Sequence, residues 1–553
     1  MSDSNSQGVV IGKMKFDDFL FKNLGEIGKF QIIQLIFVCI PMVLVSSDGL
    51  SWTFASLETP FRCKVPEEGN NKIYKNEYLN FTKCYDRKTE ERKNIEDWNK
   101  EGITCEYSEK CWLDGEKCEE YVFDHSYISY TATEKWGIVC DHKWIKALIQ
   151  AVYYIGQLIG SYLFGIIGDK FGRKVALYIA LTLQIPFCFL IVFSPWWIVY
   201  GIGRFMIGFS HAGVYLLANV AGLETFGPKY RRMAGVAIGM FSAIGQIALG
   251  VIAIFVTNYA HLHLILAIPT LIFISYWWLV PESLRWLVSK QYYEKADKVL
   301  RKAAKINGKE IPDEWWDDLD KSNSEEKCEN LTTADLFRTK EVRKRTLVLF
   351  FVWPTISMVY YGISMKADVL GGDIYMNFII SSAIEVPAIL LVALLSDRLG
   401  RRLLVAGNLF ISGIALMLNL IIDKNVGFVI AVIQMAIAKG SITTAFATLL
   451  IYSPELYPTI IRNTATGLSA TIARTGAILA SFISMWIVER YGKIYMIIPF
   501  GTCAIIASIL TFVFLPETMG KPLADTMADI ENNQEYEKLS NSEETEPSSV
   551  SSK

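Results

Sequence analysis

The chain has 553 residues, of which 52% are hydrophobic and only 20% charged, so part of its apolar surface must face lipid rather than a buried core. Lys plus Arg number 54 against 56 for Asp plus Glu, which leaves no basic excess to neutralise a run of phosphates and excludes a nucleic-acid partner. The polar start, Met1 to Gly12, lacks the basic residues, short apolar stretch and small-residue cleavage site of a secretory leader, so the first apolar run is expected to act as its own insertion signal.

In chain order, the predicted elements are an N-terminal segment over residues 1–30 and then twelve apolar runs, read against the roughly 20 residues that a helix needs to cross a bilayer. Six runs lie near Gln31–Val45, Trp144–Ile167, Val175–Phe193, Trp197–Val220, Met233–Val256 and His263–Val280, a first group over 31–280. A polar linker over 281–345 follows. Six more runs lie near Thr346–Met365, Tyr375–Leu395, Leu403–Ile422, Phe428–Tyr452, Thr464–Val488 and Tyr495–Leu515, a second group over 346–515. The tail, 516–553, becomes acidic and serine-rich from Glu531 and is expected to be disordered.

Orientation follows from the short loops, because Lys and Arg stay on the cytoplasmic side. Gly168–Lys174 (GDKFGRK), Gly227–Arg232 (GPKYRR) and Ser396–Arg402 (SDRLGRR) are basic, whereas Ser194–Trp196 and Thr257–His261 hold no Lys or Arg. Both termini and the linker are therefore expected inside. The same loops disclose a duplication: GDKFGRK at Gly168 recurs as SDRLGRR at Ser396, ETFGPKYRR at Glu224 as ELYPTIIR at Glu455, and PES at Pro281 as PET at Pro516. The offsets are 228, 231 and 235 residues. Three matches in one order at nearly one offset mark a repeated six-helix unit. The expected fold is an all-α membrane protein, twelve transmembrane helices in two pseudo-repeated six-helix bundles, the parallel-repeat arrangement of major facilitator transporters.

Between the first two runs lies Ser51–Lys143, roughly ninety polar residues, too long for a plain connection and so read as a small outer domain. It holds Cys63, Cys84, Cys105, Cys111, Cys118 and Cys140, six of the ten cysteines. An oxidising outer compartment predicts three disulfides among them, with all 15 pairings open. No tight double Cys-x-x-Cys pattern speaks for zinc, so no metal site is expected. Asn80-Phe81-Thr82 is an N-glycosylation sequon in the same segment.

These residues resemble the organic ion transporter family, solute carrier family 22, over nearly the whole chain. The likeness is carried by the large cysteine-containing outer segment, WGIVCDHKW at Trp136–Trp144, GPKYRR at Gly227–Arg232, PESLRWL at Pro281–Leu287 and ELYPTIIRN at Glu455–Asn463. Sugar porters share the PES and PET marks and the basic loops. They have a short first outer loop and a Gln-rich seventh helix, which Phe351–Met365 (FVWPTISMVYYGISM) is not. The resemblance implies an organic cation, anion or zwitterion as substrate.

The basic loops place Asp169, Arg173 and Lys174, and Asp397, Arg401 and Arg402, at inner helix ends, where charges can pair between helices that slide. The resemblance implies that they latch the outward-facing state and that Glu224, Arg231, Glu455 and Arg462 complete the network. Read from topology alone, the same basic residues merely obey the inside-positive rule. Arg204, inside the fourth run, is expected either to pair structurally or to couple.

Three charges lie deeper. At about 1.5 Å per residue, Glu385, Lys439 and Arg474 fall about 15–18 Å into a core ~30 Å thick, the depth of transporter substrate sites. Each needs a wet cavity or a partner, and one acid with two bases leaves a positive charge over. Tyr153, Tyr154, Tyr215, Trp353, Tyr360 and Tyr361 are the rings that could clasp an organic solute, with Tyr215 and Tyr361 favoured by the resemblance. His211 is expected to pack rather than relay protons. Glu385-Val386-Pro387-Ala388 is similar to the organic cation branch, whereas Arg474 stands where that branch has an Asp and is similar to the anion and carnitine branches. Together with Lys439, the pattern implies the carnitine-like branch, whose substrates carry both charges.

No GxxxxGK[ST] loop or catalytic constellation occurs, so neither an enzyme nor a cofactor is expected, and transport must run on solute or ion gradients. The expected function is a plasma-membrane secondary carrier of small organic ions, zwitterions or cations, with a coupling ion left open between sodium and proton. The competing readings are an organic anion carrier, a sugar or neutral-solute porter, and a non-transporting receptor or adhesion platform built on the cysteine-rich segment.

Overall fold

The computed structural model describes residues 19–20, 23–25, 27–64, 83–86, 91–94, 111–113, 116–227, 230–313, 315–316, 336–366, 373–420, 428–458 and 461–520. Among them are twelve helices long and apolar enough to cross a membrane. The first half comprises α1 (Lys29–Ala55), α2 (Trp144–Phe171), α3 (Arg173–Phe193), α4 (Trp197–Thr225), α5 (Arg231–Phe255) and α6 (Tyr259–Thr270, continued through a tighter turn to Leu279). The second half comprises α7 (Lys340–Met365), α8 (Ile374–Ala383 and Glu385–Leu399), α9 (Arg401–Leu418), α10 (Phe428–Glu455), α11 (Arg462–Phe482, continued through a wider π turn to Tyr491) and α12 (Ile494–Phe514).

Small residues let the helices approach closely. A Cβ on Gly156 would sit 2.2 Å from the Phe205 carbonyl oxygen, and one on Gly476 2.0 Å from that of Pro354, so α2 on α4 and α11 on α7 pack backbone to backbone. Across the halves, α2 packs on α11 and α5 on α8.

Helix α1 runs ten residues beyond the expected Val45, to Ala55, so Ser51 belongs to the membrane helix and not to the cysteine-rich segment. The run Ser46-Ser47-Asp48 reads as a polar break in the sequence, but its groups are satisfied inside the bundle. Ser47 Oγ donates to the Gly245 carbonyl at 2.7 Å, and Asp48 Oδ2 accepts from Gln184 Nε2 at 2.8 Å. Helix α7 begins at Lys340, six residues before the expected Thr346, so the end of the linker is helical.

The cysteine-rich segment contains short antiparallel ribbons. β1 (Phe61–Cys63) pairs with β6 (Tyr121–Phe123), β2 (Lys83–Asp86) with β3 (Glu91–Asn94), and β4 (Trp112–Leu113) with β5 (Glu116–Lys117). Cys63 is bonded to Cys118 and Cys111 to Cys140. Cys105, Asn80 and the side chain of Cys84 lie outside the described residues. In the linker, the helix Tyr293–Asn307 buries Ala296, Leu300, Ala303 and Ala304 against Phe19, Leu20 and Leu24. Asn307 fixes that contact: its Oδ1 accepts from the Phe30 backbone N–H at 2.9 Å and its Nδ2 donates to Gln31 Oε1 at 2.9 Å.

Candidate functional site

Helix α8 breaks at Ile384, where Pro387 has no N–H to return to the carbonyl four residues back. Glu385 opens the second piece, 3% exposed, facing Lys439 of α10, which is wholly buried. Lys439 Nζ lies 2.8 Å from Glu385 Oε1, donates to Ser364 Oγ at 2.6 Å and sits 3.5 Å from the centroid of the Tyr360 ring. Tyr360 Oη donates to Glu385 Oε1 at 2.8 Å, and Gln246 Nε2 of α5 donates to Oε2 at 3.2 Å from the other half. This carboxylate is neutralised and hydrogen-bonded on both oxygens, as a buried ion pair requires.

Arg474 is placed differently. It is half-buried, its Nη1 donates to Tyr361 Oη at 3.1 Å, and no ion pair joins it to an acid among the described residues. Tyr361 meets Tyr154 of the first half at 5.0 Å between ring centroids and Tyr360 at 5.0 Å. Tyr215 is half-buried on α4. The expected constellation is therefore brought together in Glu385, Lys439, Arg474, Tyr154, Tyr360 and Tyr361. Two expected residues are committed elsewhere: Trp353 Nε1 donates to Ser453 Oγ at 3.0 Å with its ring on Phe446, and the Tyr153 hydroxyl bonds His211 Nδ1 and accepts from Gln157 Nε2.

Gln246, which joins the Glu385 cluster, and Asp48, a second deeply buried acid, are both missed by the sequence reading. Arg204 of α4, fully buried, donates to the Asp48 carbonyl at 2.7 Å, the Gly49 carbonyl at 3.2 Å and Gln150 Oε1 at 3.0 Å, with its guanidinium 4.5 Å from the Tyr153 ring centroid. The Asp48 carboxylate lies nearby, 2% exposed, so the first half holds its deep cation and anion together. The signal was available as an acid shortly after an apolar run.

A family model described as sugar (and other) transporter matches residues 107–529. Organic cation transporter protein of Drosophila melanogaster is 33% identical over 539 residues, covering 94% of this chain and 95% of that one. Organic cation/carnitine transporter 2 of Homo sapiens is 31% identical over 522 residues, covering 91% and 92%. Solute carrier family 22 member 21 of Mus musculus is 30% identical over 527 residues, covering 92% of each. The chain belongs to solute carrier family 22. The E. coli xylose transporter XylE, partially occluded and inward open, covers 89% of this chain and all of its own at a TM-score of 0.59 and 14% identity, which shows the major facilitator fold. The chain is thus a multi-pass transporter, not an enzyme.

At the basic end of the transporter, the duplicated motifs build the same device twice. Gly172 and Gly400 reverse the chain at φ +105° and +82°, and a Cβ on either would strike the carboxylate of Glu282 or Glu517 at 2.2 or 2.5 Å. Glu282 Oε1 accepts from the Lys174 N–H at 3.0 Å, and Glu517 from the N–H groups of Arg401 and Arg402 at 2.9 and 3.0 Å. The PES and PET acids thus cap the first turns of α3 and α9. Arg173 pairs with Asp169 at 3.1 Å and Glu224 at 3.2 Å, and Arg401 with Asp397 at 3.2 Å and Glu455 at 3.4 Å. Arg462 donates to the Pro454 carbonyl at 2.9 Å, Arg402 reaches the Phe512 carbonyl, and the side chain of Arg231 lies outside the described residues. Each of these pairs stays within one half.

The cysteine-loop end joins the halves instead. Lys146 of α2 meets Glu489 of α11 at 2.6 Å, and Phe54 of α1 stacks on Tyr375 of α8 at 5.5 Å. Both contacts bridge the two halves at that end.

Proposed function

We propose that this transporter carries small organic ions bearing a carboxylate across the plasma membrane by alternating access, with zwitterions such as carnitine-like betaines or amino acids as its principal substrates. Both termini and the linker lie in the cytoplasm, and either sodium or protons serve as the coupling ion. The observation that carries this reading is Arg474: among the deep charges of the described residues it alone offers an unspent guanidinium face beside aromatic rings, a geometry suited to paired hydrogen bonds with a carboxylate. The substrate ammonium finds the ring faces of Tyr154, Tyr215 and Tyr361 and competes with Lys439 for Glu385.

The pairing of Glu385 with Lys439 favours a second reading, an organic anion carrier, because the acid that would seat an ammonium is already neutralised. Uptake of radiolabelled carnitine, a simple ammonium cation, a dicarboxylate and a neutral sugar into proteoliposomes, with and without sodium, separates these. Carnitine or amino-acid uptake lost in Arg474→Ala supports the zwitterion site. Dicarboxylate uptake alone establishes the anion reading, and good transport of simple cations without zwitterions refutes the proposal. Sugar uptake, or surface binding without any uptake, would establish a porter or a platform.

A further inference from the structure

At the basic end, the start of α3, the end of α6 and the linker helix Tyr293–Asn307 enclose a cleft of about 520 Å³. Lys174, Lys295, Lys298 and Lys302 line it. The last three recur at spacings of three and four, so they share one face of the linker helix, while its other face is spent on the contact with Phe19, Leu20 and Leu24. None of the four ammonium groups has an ion-pair partner among the described residues. Glu282 also lines the cleft, but its Oε1 is occupied by the backbone N–H groups of Lys174 and Ser283, both at 3.0 Å. The cleft thus gathers four cations against one engaged acid, and like charges so collected call for a multivalent anion.

Its mouth shows where that anion comes from. Trp277 and Trp278 close the last turn of α6 at 41% and 72% exposure, and Lys174 Nζ lies 4.8 Å from the Trp277 ring centroid. Exposed tryptophans at the end of a spanning helix sit at headgroup level, and lysines extend their stems along such a boundary to reach lipid phosphates. With the basic end facing the cytoplasm, the cleft opens on the leaflet that carries anionic lipid. The volume is that of a small-molecule site rather than of a single phosphate ion.

We propose that this cleft binds a headgroup bearing two or more phosphates, presented by an anionic lipid of the cytoplasmic leaflet, and so ties the linker helix to α3 beside the Asp169–Lys174 loop. A soluble inositol phosphate has the same chemistry, and the test separates the two. Purified full-length transporter in neutral detergent is titrated with dioctanoyl phosphatidylinositol bisphosphate and, separately, with inositol trisphosphate, following tryptophan fluorescence at two salt concentrations. The triple variant Lys295→Ala, Lys298→Ala, Lys302→Ala is expected to bind the lipid at least about 10-fold more weakly and with a shallower salt dependence. These side chains are exposed, so the helix keeps its buried face; a monodisperse elution profile checks this. Lys305→Ala with Lys309→Ala, outside the cleft, should leave binding unchanged. Tight lipid binding with weak trisphosphate binding supports the membrane source. Equal binding of both transfers the cleft to a soluble phosphate and overturns the lipid assignment. Equal affinity in wild type and triple variant, or equal loss in the outside pair, overturns the site.

Discussion

Lys146 on α2 and Glu489 on α11 meet at 2.6 Å across the seam between the two halves, and Lys366 at the end of α7 reaches the same carboxylate at 3.4 Å. Neither Lys146 nor Glu489 exposes more than 10% of its side chain, so both charges depend on each other. Glu489→Gln leaves two ammonium groups facing one another, and loss of one partner from a buried pair costs roughly 3–5 kcal/mol. The closed state should lose at least about 10-fold in population. A cysteine placed at Phe378, which is 2% exposed beneath Phe54, should then react faster with an impermeant thiol reagent. Unchanged labelling would show that the triad does not hold this end shut.

Arg474→Ala should raise KM for a carboxylate-bearing substrate by about 10-fold or more, the loss expected for a charge-assisted contact, while Arg474→Lys restores little because the ammonium cannot bond in parallel. Concentration-dependent uptake measures both. A KM within twofold of wild type would remove Arg474 from the substrate.

Glu385→Gln and Lys439→Met each strand one buried charge and should each lower the thermal midpoint in detergent, whereas the double variant should recover most of the loss. Thermal unfolding followed by intrinsic fluorescence gives the cycle. Strict additivity would mean that the 2.8 Å contact carries no coupling.

At the basic end, Asp169→Asn or Arg401→Ala should slow turnover more than it weakens substrate binding, because these charges act on the balance between states. Normal rates at normal surface expression would leave the loops with a topological role alone.

Cys111→Ser should expose Cys140 to an impermeant thiol reagent, since the two are bonded. Asn80→Gln should abolish a glycosidase-sensitive mobility shift on gels. No glycan shift alone would leave the sequon unused, whereas free reaction of the wild-type loop cysteines would overturn the extracellular, disulfide-bonded assignment.

Twelve spans, two duplicated halves and a cysteine-bonded segment between the first two spans are written locally in the sequence, because run length, loop charge and residue spacing act over a few turns of chain. Even so, the sequence ends α1 too early, at Ser46-Ser47-Asp48, since hydropathy cannot register that Gly245 and Gln184, some 200 and 136 residues away, satisfy those groups. Depth counting set Glu385, Lys439 and Arg474 at one level of the membrane, yet it could not say which base takes the acid. That choice belongs to the rotation of each helix about its own axis. The helices α8 and α10 turn Glu385 and Lys439 face to face, while α11 turns Arg474 toward Tyr361, with no acid paired to it among the described residues. Nor do four lysines and a PES acid announce a shared cleft until α3, α6 and the linker helix are packed. Side-chain chemistry is a property of sequence, but which charges are spent on one another is settled only by helix packing, because Coulomb attraction depends on distance in space.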